Sequence, residues 1–140
     1  MSLALIVTFE KELPDAAAVA AYVKGKTGKA LAREADRLSS AARRKSVPAL
    51  SSMLSESQEK LAEQMRADGF DPAKMRLPPE QWFPAADGLA TVRALSEHVT
   101  AKLNDFKQPN PILRDLKAAE TLLAAADAAG VRFHFTKGQI

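Results

Sequence analysis

The sequence predicts a mostly helical α+β fold in a single domain, residues 1–140, with four or five helices packed on a small sheet formed by the two chain ends. Three observations support this prediction. The length of 140 residues is usual for one domain. Residues 2–10 and 131–136 carry strand patterns, in which one face is continuously apolar. Between them, apolar residues recur at steps of three and four, as in helices that pack on a core.

Two strands at opposite ends of the chain must pair with each other or with another chain, because an isolated strand leaves its backbone polar groups unsatisfied. We expect residues 3–9 to pair with residues 131–136. A two-stranded sheet has two open edges. Either helices and loops cover them, or a second copy extends the sheet and makes a homodimer. The tail, residues 137–140, is predicted to be loose.

Periodicity and capping residues place the helices between the strands. Ser55 is a good N-cap, with Gln58 as its capping-box partner three residues later. Asn110 caps a later helix, Pro111 takes its first position, and Gly130 ends it. The predicted helices cover residues 16–23, 29–44, 56–67, 85–103 and 111–129, with a short helical turn at 49–54.

Residues 69–84 form the longest irregular stretch, with four prolines and the only tryptophan of the chain, Trp82. Long loops without secondary structure are uncommon in compact domains, and some of them are functional. One interpretation is that large side chains such as Phe70, Trp82 and Phe83 anchor this segment in the core. The other is that the segment walls a pocket.

The net charge of +3 is unevenly distributed, because residues 24–45 carry eight basic and two acidic residues. Such a segment can attract phosphates or an acidic partner, and it can equally be a solvated helix face. Free amides at the start of the helix predicted at 29–44 would strengthen anion binding. The candidate anion-binding residues are Lys26, Lys29, Arg33 and Arg37.

Two nucleotide-related functions are disfavoured in this basic segment. Residues 25–30 lack the glycine spacing and the hydroxyl residue after the lysine that a phosphate-binding loop needs. No aromatic residue lies among the basic residues of this segment, so it offers no aromatic side chains on which nucleic-acid bases could stack. Non-specific contact with a nucleic-acid backbone through residues 24–45 stays open as a weaker alternative.

Residue types exclude further chemistries. The chain has no cysteine, which excludes disulfides, thiolate nucleophiles and cysteine-ligated metal sites. It has two histidines and no Ser-His-acid spacing, so we predict no metal, no cofactor and no catalytic residue, and do not favour an enzyme.

A small polar pocket beside Trp82 is the alternative prediction. If the last two helices pack together, Arg93 meets Asp115 or Glu120, either as a modest salt bridge or as part of that pocket. The candidate pocket residues are Trp82, Arg93, His98, Asp115, Glu120 and His134.

The sequence carries no membrane or export signal that we can identify. No apolar stretch approaches the ~20 residues of a membrane span. The apolar run at residues 3–9 lacks a basic segment before it and is followed at once by glutamates, so we expect no signal peptide. Together with the absence of cysteine, this pattern favours a soluble cytoplasmic protein.

Three stretches resemble a family of small uncharacterised bacterial proteins. They are WFPAADGLATVRAL at 82–95, ILRDLKAAE at 112–120 and AAGVRFHF at 128–135. Members of this family also open with a short apolar strand and carry a Gly-Lys-Ala-Leu segment similar to residues 28–31. The resemblance implies a bacterial protein and brings no activity, ligand or catalytic residue with it.

The absence of a catalytic constellation, the well-patterned helices and the localised basic stripe favour a non-catalytic interaction module, of a partner-binding or immunity type. The alternative is a small-ligand-binding protein or enzyme that uses a pocket near Trp82.

Overall fold

The computed structural model describes residues 3–25 and 27–139, and over these residues the predicted α+β architecture is confirmed. Strand β1 (Leu3–Phe9) opens the described chain and strand β2 (Phe133–Gln139) closes it. The helices between them are α1 (Ala16–Lys24), α2 (Lys29–Arg33), α3 (Ala35–Arg44), α4 (Gln58–Ala67), α5 (Ala85–Ala101) and α6 (Pro109–Ala129). Short 3₁₀ turns lie at Leu50–Met53, Pro72–Lys74 and Leu103–Asp105.

The two strands pair as predicted, and the sheet that they form is antiparallel, with Leu3 opposite Gln139 and Phe9 opposite Phe133. The tail was predicted to be loose over residues 137–140; this is wrong for residues 137–139, and residue 140 lies outside the described residues. Residues 137–139 continue β2 because residues 3–5 at the start of β1 give them hydrogen-bonding partners.

Other elements cover much of both sheet edges. On the outer side of β1, the Leu5 amide donates to the Gly28 carbonyl at 3.0 Å, and the Val7 amide donates to the Tyr22 hydroxyl at 3.2 Å. On the outer side of β2, Phe133 exchanges two main-chain hydrogen bonds with Phe83, at 2.8 and 2.9 Å. These contacts satisfy backbone groups that the edges of a two-stranded sheet would otherwise expose.

The core lies between one face of the sheet and the two long helices, α5 and α6, which pack against each other. Val92 and Leu95 of α5, Leu116 of α6 and the rings of Phe133 and Phe135 are fully buried there. The helical periodicity seen in the sequence therefore faces the core as expected.

The structure has more helices than predicted, because the helix expected at 29–44 is divided at Glu34. The Glu34 backbone leaves the α-helical region, with φ −103° and ψ 21°. The break changes the chain direction, so that α2 packs against β1 and α6 while α3 packs against α5.

Two predicted helix starts are also wrong. Ser57 rather than Ser55 caps α4, and its side chain accepts from the Lys60 amide. The last helix begins at Pro109, two residues before Pro111, after an N-cap at Gln108. A second proline in the first turn is compatible with either start.

Among the described residues, no helix combines the length and the apolar character needed to cross a lipid bilayer.

Gly88 of α5 packs directly against the Phe133 ring of β2, which leaves no room for a larger side chain. Its replacement gives a testable prediction. A Cβ at this position would lie 2.3 Å from the ring of the fully buried Phe133. We expect Gly88→Ala to lower the free energy of unfolding by about 1–2 kcal/mol, because overpacking outweighs the gain of about 1 kcal/mol in helix propensity. Denaturant unfolding measures this, with Phe133→Leu as the companion. The double variant should recover part of the loss, and full additivity would contradict the contact.

Candidate functional site

The Pro-rich segment is fastened to β2 by the side chain of His134. Glu80 Oε2 accepts a 2.8 Å hydrogen bond from His134 Nε2, and the Trp82 ring lies on the imidazole with centroids 4.5 Å apart. His134 is 1% exposed, so the histidine predicted for a pocket is a buried anchor of the segment. Phe83 adds its backbone pairing with Phe133. Trp82 and Phe83 are half-buried, as the anchoring interpretation predicts, whereas Phe70 is 58% exposed and anchors nothing.

A chain of hydroxyl groups continues from the other side of the imidazole. On this side, His134 Nδ1 lies 3.2 Å from the Thr136 hydroxyl oxygen and 3.3 Å from the Phe135 carbonyl oxygen. Thr136 Oγ1 is in turn 2.9 Å from Thr8 Oγ1. This carboxylate–imidazole–hydroxyl order is that of a nucleophilic triad. However, Thr136 is buried and lines neither of the two cavities described below. The network therefore fixes the ring rather than presenting a nucleophile.

Beside this anchor lies a groove of about 430 Å³, which we call the edge groove. Its walls come from the segment after the first 3₁₀ turn, from α4, from the Pro-rich segment and from β2. The lining residues are Leu54, Ser55, Glu56, Leu61, Gln64, Pro78, Pro79, Gln81 and Lys137.

Side-chain hydrogen bonds hold the walls of the edge groove together. Ser55, which was predicted as a helix cap, instead accepts from the Gln81 amide at 2.7 Å. Gln58 Nε2 donates to the Pro78 carbonyl at 3.4 Å. With Glu80 bound to His134 on the opposite side, the Pro-rich segment is fixed from both sides and the groove is preformed.

The floor of the edge groove contains an open part of the edge of β2. Along a strand, the main-chain N–H and C=O groups of successive residues point alternately to the two sides. Those of Phe133 point away from β1 and bind Phe83, and the Phe135 carbonyl points the same way and accepts from the Ser55 amide. The main-chain groups of Lys137 therefore point to the same side of β2, where Ser55 and Lys137 line the groove. No described residue makes a main-chain hydrogen bond to Lys137 on this side.

Asp115, predicted for the polar pocket, has a different position and role. Asp115 belongs to α6, and its carboxylate is buried. Its Oδ2 accepts hydrogen bonds from the amides of Gly28 and Ala30, both at 3.0 Å. Two of the amides that were expected to be free for an anion at the start of α2 are thus already bound. Oδ1 is buried without a hydrogen-bond partner among the described residues, 3.6 Å from Arg114 Nη2.

The remaining predicted pocket residues lie in other environments. Arg93 and Glu120 form an ion pair across α5 and α6, with Nε–Oε1 at 3.7 Å and both side chains partly exposed. This is the salt bridge that the sequence suggested. His98 packs edge-on against Phe106, with ring centroids 6.4 Å apart. Of the six predicted residues, the structure brings Trp82 to His134 and Arg93 to Glu120, and it does not gather the six around one cavity.

The basic residues predicted for an anion site are largely accounted for by their neighbours. Arg33 Nε and Arg37 Nε lie 3.8 and 3.7 Å from the Glu34 carboxylate. Lys29 is half-buried at the start of α2. Lys26 lies outside the described residues.

Among residues 3–25 and 27–139, no three His, Cys, Asp or Glu side chains cluster closely enough to hold a metal ion. Comparison of the chain with protein-family models, curated proteins and solved structures finds no significant match.

The Glu80–His134 anchor gives a testable prediction. Replacing Glu80 with Ala leaves the buried His134 nitrogen without its acceptor, which costs about 1–3 kcal/mol of unfolding free energy. Glu80→Gln keeps an acceptor oxygen and should lose less. Trp82 is the only tryptophan and lies on the ring, so its fluorescence reports unfolding at this place. Glu63→Ala on α4, an exposed glutamate, is the control, and equal losses for Glu63→Ala and Glu80→Ala would contradict the anchor.

The buried Tyr22 hydroxyl predicts alkaline instability. Burial, with a smaller contribution from the Asp115 charge, raises the pKa of Tyr22 to about 12, although its hydrogen bond from the Val7 amide lowers the pKa. The unfolded chain ionises this residue near pH 10. The neutral hydroxyl therefore stabilises the folded protein fully below pH 10. We expect the free energy of unfolding to fall by about 2–3 kcal/mol between about pH 10 and pH 12.

Tyr22 is the only tyrosine, so the absorbance of tyrosinate follows this group alone. We expect its ionisation in the folded protein near pH 12, and a shallower pH dependence of unfolding in Tyr22→Phe than in the unaltered protein. Ionisation near pH 10 without unfolding would show that the hydroxyl is not buried.

Proposed function

We propose that the protein is a non-catalytic partner-binding module, and that the edge groove takes an extended segment of the partner as an additional strand beside β2. One observation carries this proposal. The main-chain groups of Lys137 face the groove without a partner among the described residues, directly after positions where Phe83 and Ser55 pair with the same edge.

Adding a strand to an open edge is a common mode of peptide recognition. Main-chain hydrogen bonds supply affinity, and pockets beside the edge select side chains. Here Leu54, Leu61 and Pro78 offer an apolar wall, and the exposed Lys137 ammonium group offers a positive charge. We therefore propose a partner segment that is extended and carries an apolar side chain and an acidic one.

The fixed position of the Pro-rich segment supports binding rather than chemistry. A groove that is held open by Gln58, Ser55 and His134 loses little conformational entropy when a ligand enters. In contrast, the one imidazole nearby is buried and bound on both ring nitrogens. A cytoplasmic location is part of this proposal, because a chain without cysteine is suited to a reducing compartment.

Peptide selection tests this proposal. Random peptides displayed on phage are selected on the immobilised protein, and enriched peptides are synthesised and titrated in solution. The decisive variant is Lys137→Pro, which deletes the outward-facing amide and leaves the β1–β2 hydrogen bonds intact, as proline does on an edge strand. Loss of one main-chain hydrogen bond should weaken binding about threefold to tenfold.

Lys137→Ala is the matched control, because it removes the ammonium group and keeps the amide. We expect it to bind more tightly than Lys137→Pro, and thermal unfolding confirms that both variants fold. Failure of the selection, or equal affinity of Lys137→Pro and Lys137→Ala, would contradict strand addition. Self-association that Lys137→Pro abolishes would instead identify a second copy as the occupant and overturn the proposal of a separate partner.

A further inference from the structure

A second cavity, distinct from the edge groove, lies between α3, the end of α5 and the 3₁₀ turn Leu103–Asp105. It has a volume of about 170 Å³. We call it the cationic cavity, and its lining residues include Arg37, Ser40, Arg44, His98, Asp105 and Phe106. Two residues that the sequence assigned to different candidate sites, Arg37 and His98, therefore meet at one place.

Two of the lining side chains are held in position by their neighbours. Arg37 Nη1 donates to the Asp105 carbonyl at 2.6 Å, and Arg37 Nε lies 3.7 Å from the Glu34 carboxylate. Arg37 Nη2 is not used in these contacts. His98 is fixed by its edge-on contact with the buried Phe106 ring, at an interplanar angle of 89°. These side chains form a wall whose geometry exists before any ligand binds.

Of the two arginines that line the cavity, Arg44 is the one whose charge no ion pair among the described residues compensates. Its neighbour Lys45 pairs with Glu97 at 3.7 Å, and Arg37 is partly neutralised by Glu34. Arg44 forms no ion pair with a described residue. Asp105 belongs to the lining and Glu34 pairs with Arg37, so two carboxylates oppose the two lining arginines. A third guanidinium lies beside the cavity, because Arg43 Nη2 donates to Ser40 Oγ at 3.4 Å, and it leaves the surroundings of the cavity with a net positive charge.

We propose that the cationic cavity binds a phosphoryl group. Two arginines, the Ser40 hydroxyl and the His98 imidazole supply more donors than the two oxygens of a carboxylate can accept, whereas a phosphoryl group has three or four oxygens. Guanidinium groups match phosphate in a bidentate manner. The cavity is smaller than the ~300–1,000 Å³ of sites for drug-sized ligands. It therefore holds the phosphoryl group and leaves the rest of the ligand outside.

The probe is inorganic phosphate, and the signal is the imidazole resonance of His98. The chain has only two histidines, so the His98 signal is assigned with one variant, His134→Gln. At constant ionic strength and pH, we expect millimolar phosphate to shift the His98 resonance saturably. Acetate at the same concentration should give no saturable shift.

Arg44→Gln is the test variant, and we expect it to weaken phosphate binding at least fivefold. Arg66→Gln on α4 makes the same change in net charge at an exposed site away from the cavity and should leave the binding unchanged. Equal shifts with phosphate and acetate, or unchanged binding in Arg44→Gln, would overturn the proposal. Edge-groove peptides do not report on this cavity, so the two proposals fail independently.

A single-stranded oligonucleotide provides the second arm of the experiment and separates two sources of the phosphoryl group. If it displaces phosphate from the unaltered protein and loses affinity in Arg44→Gln, the ligand is a nucleic-acid backbone. If it does not displace phosphate that is bound, the ligand is a small phosphorylated molecule.

Discussion

The buried carboxylate of Asp115 is the constraint on which the rest of the structure depends. By accepting from the amides of Gly28 and Ala30, it fixes the start of α2 to α6. Hydrogen bonds to a charged group contribute about 1.5–3 kcal/mol each. Gly28 then lies so close to β1 that a Cβ would be 2.1 Å from the Leu5 carbonyl oxygen, and its φ of 115° also favours glycine. One edge of the sheet is closed by this contact.

The contacts along the sheet edges determine which part of β2 stays accessible to the proposed partner. Gly28 and Tyr22 cover β1, and Phe83 and Ser55 cover β2 as far as Phe135. On β2, the edge is open after Phe135 among the described residues, beside walls that the Pro-rich segment provides. The edge groove therefore results from the same packing that stabilises the fold. The His134 imidazole holds one wall of the groove in place through its hydrogen bond to Glu80.

Much of the fold could be predicted from the sequence because periodicity reports burial. The alternation of Val131, Phe133 and Phe135 identified β2, but residues 136–139 contain no apolar side chain, so nothing in the sequence showed that the strand continued. The edge groove could not be predicted for the same reason. Its central feature is the main chain of Lys137, and no residue type indicates whether a main-chain amide is unpaired. Asp115 was predicted as a partner of Arg93 or as a pocket residue, but its partners are backbone groups more than 80 positions away.

Site-resolved hydrogen exchange of the native protein tests the account most directly. The Gly28 and Ala30 amides, bound to a buried carboxylate, should exchange as slowly as Phe133 in the core of the sheet. The Lys137 amide on the open edge should exchange rapidly. Rapid exchange at Gly28 and Ala30 would show that Asp115 does not hold the chain in this arrangement. Slow exchange at Lys137 in the free monomer would show that the edge is already closed.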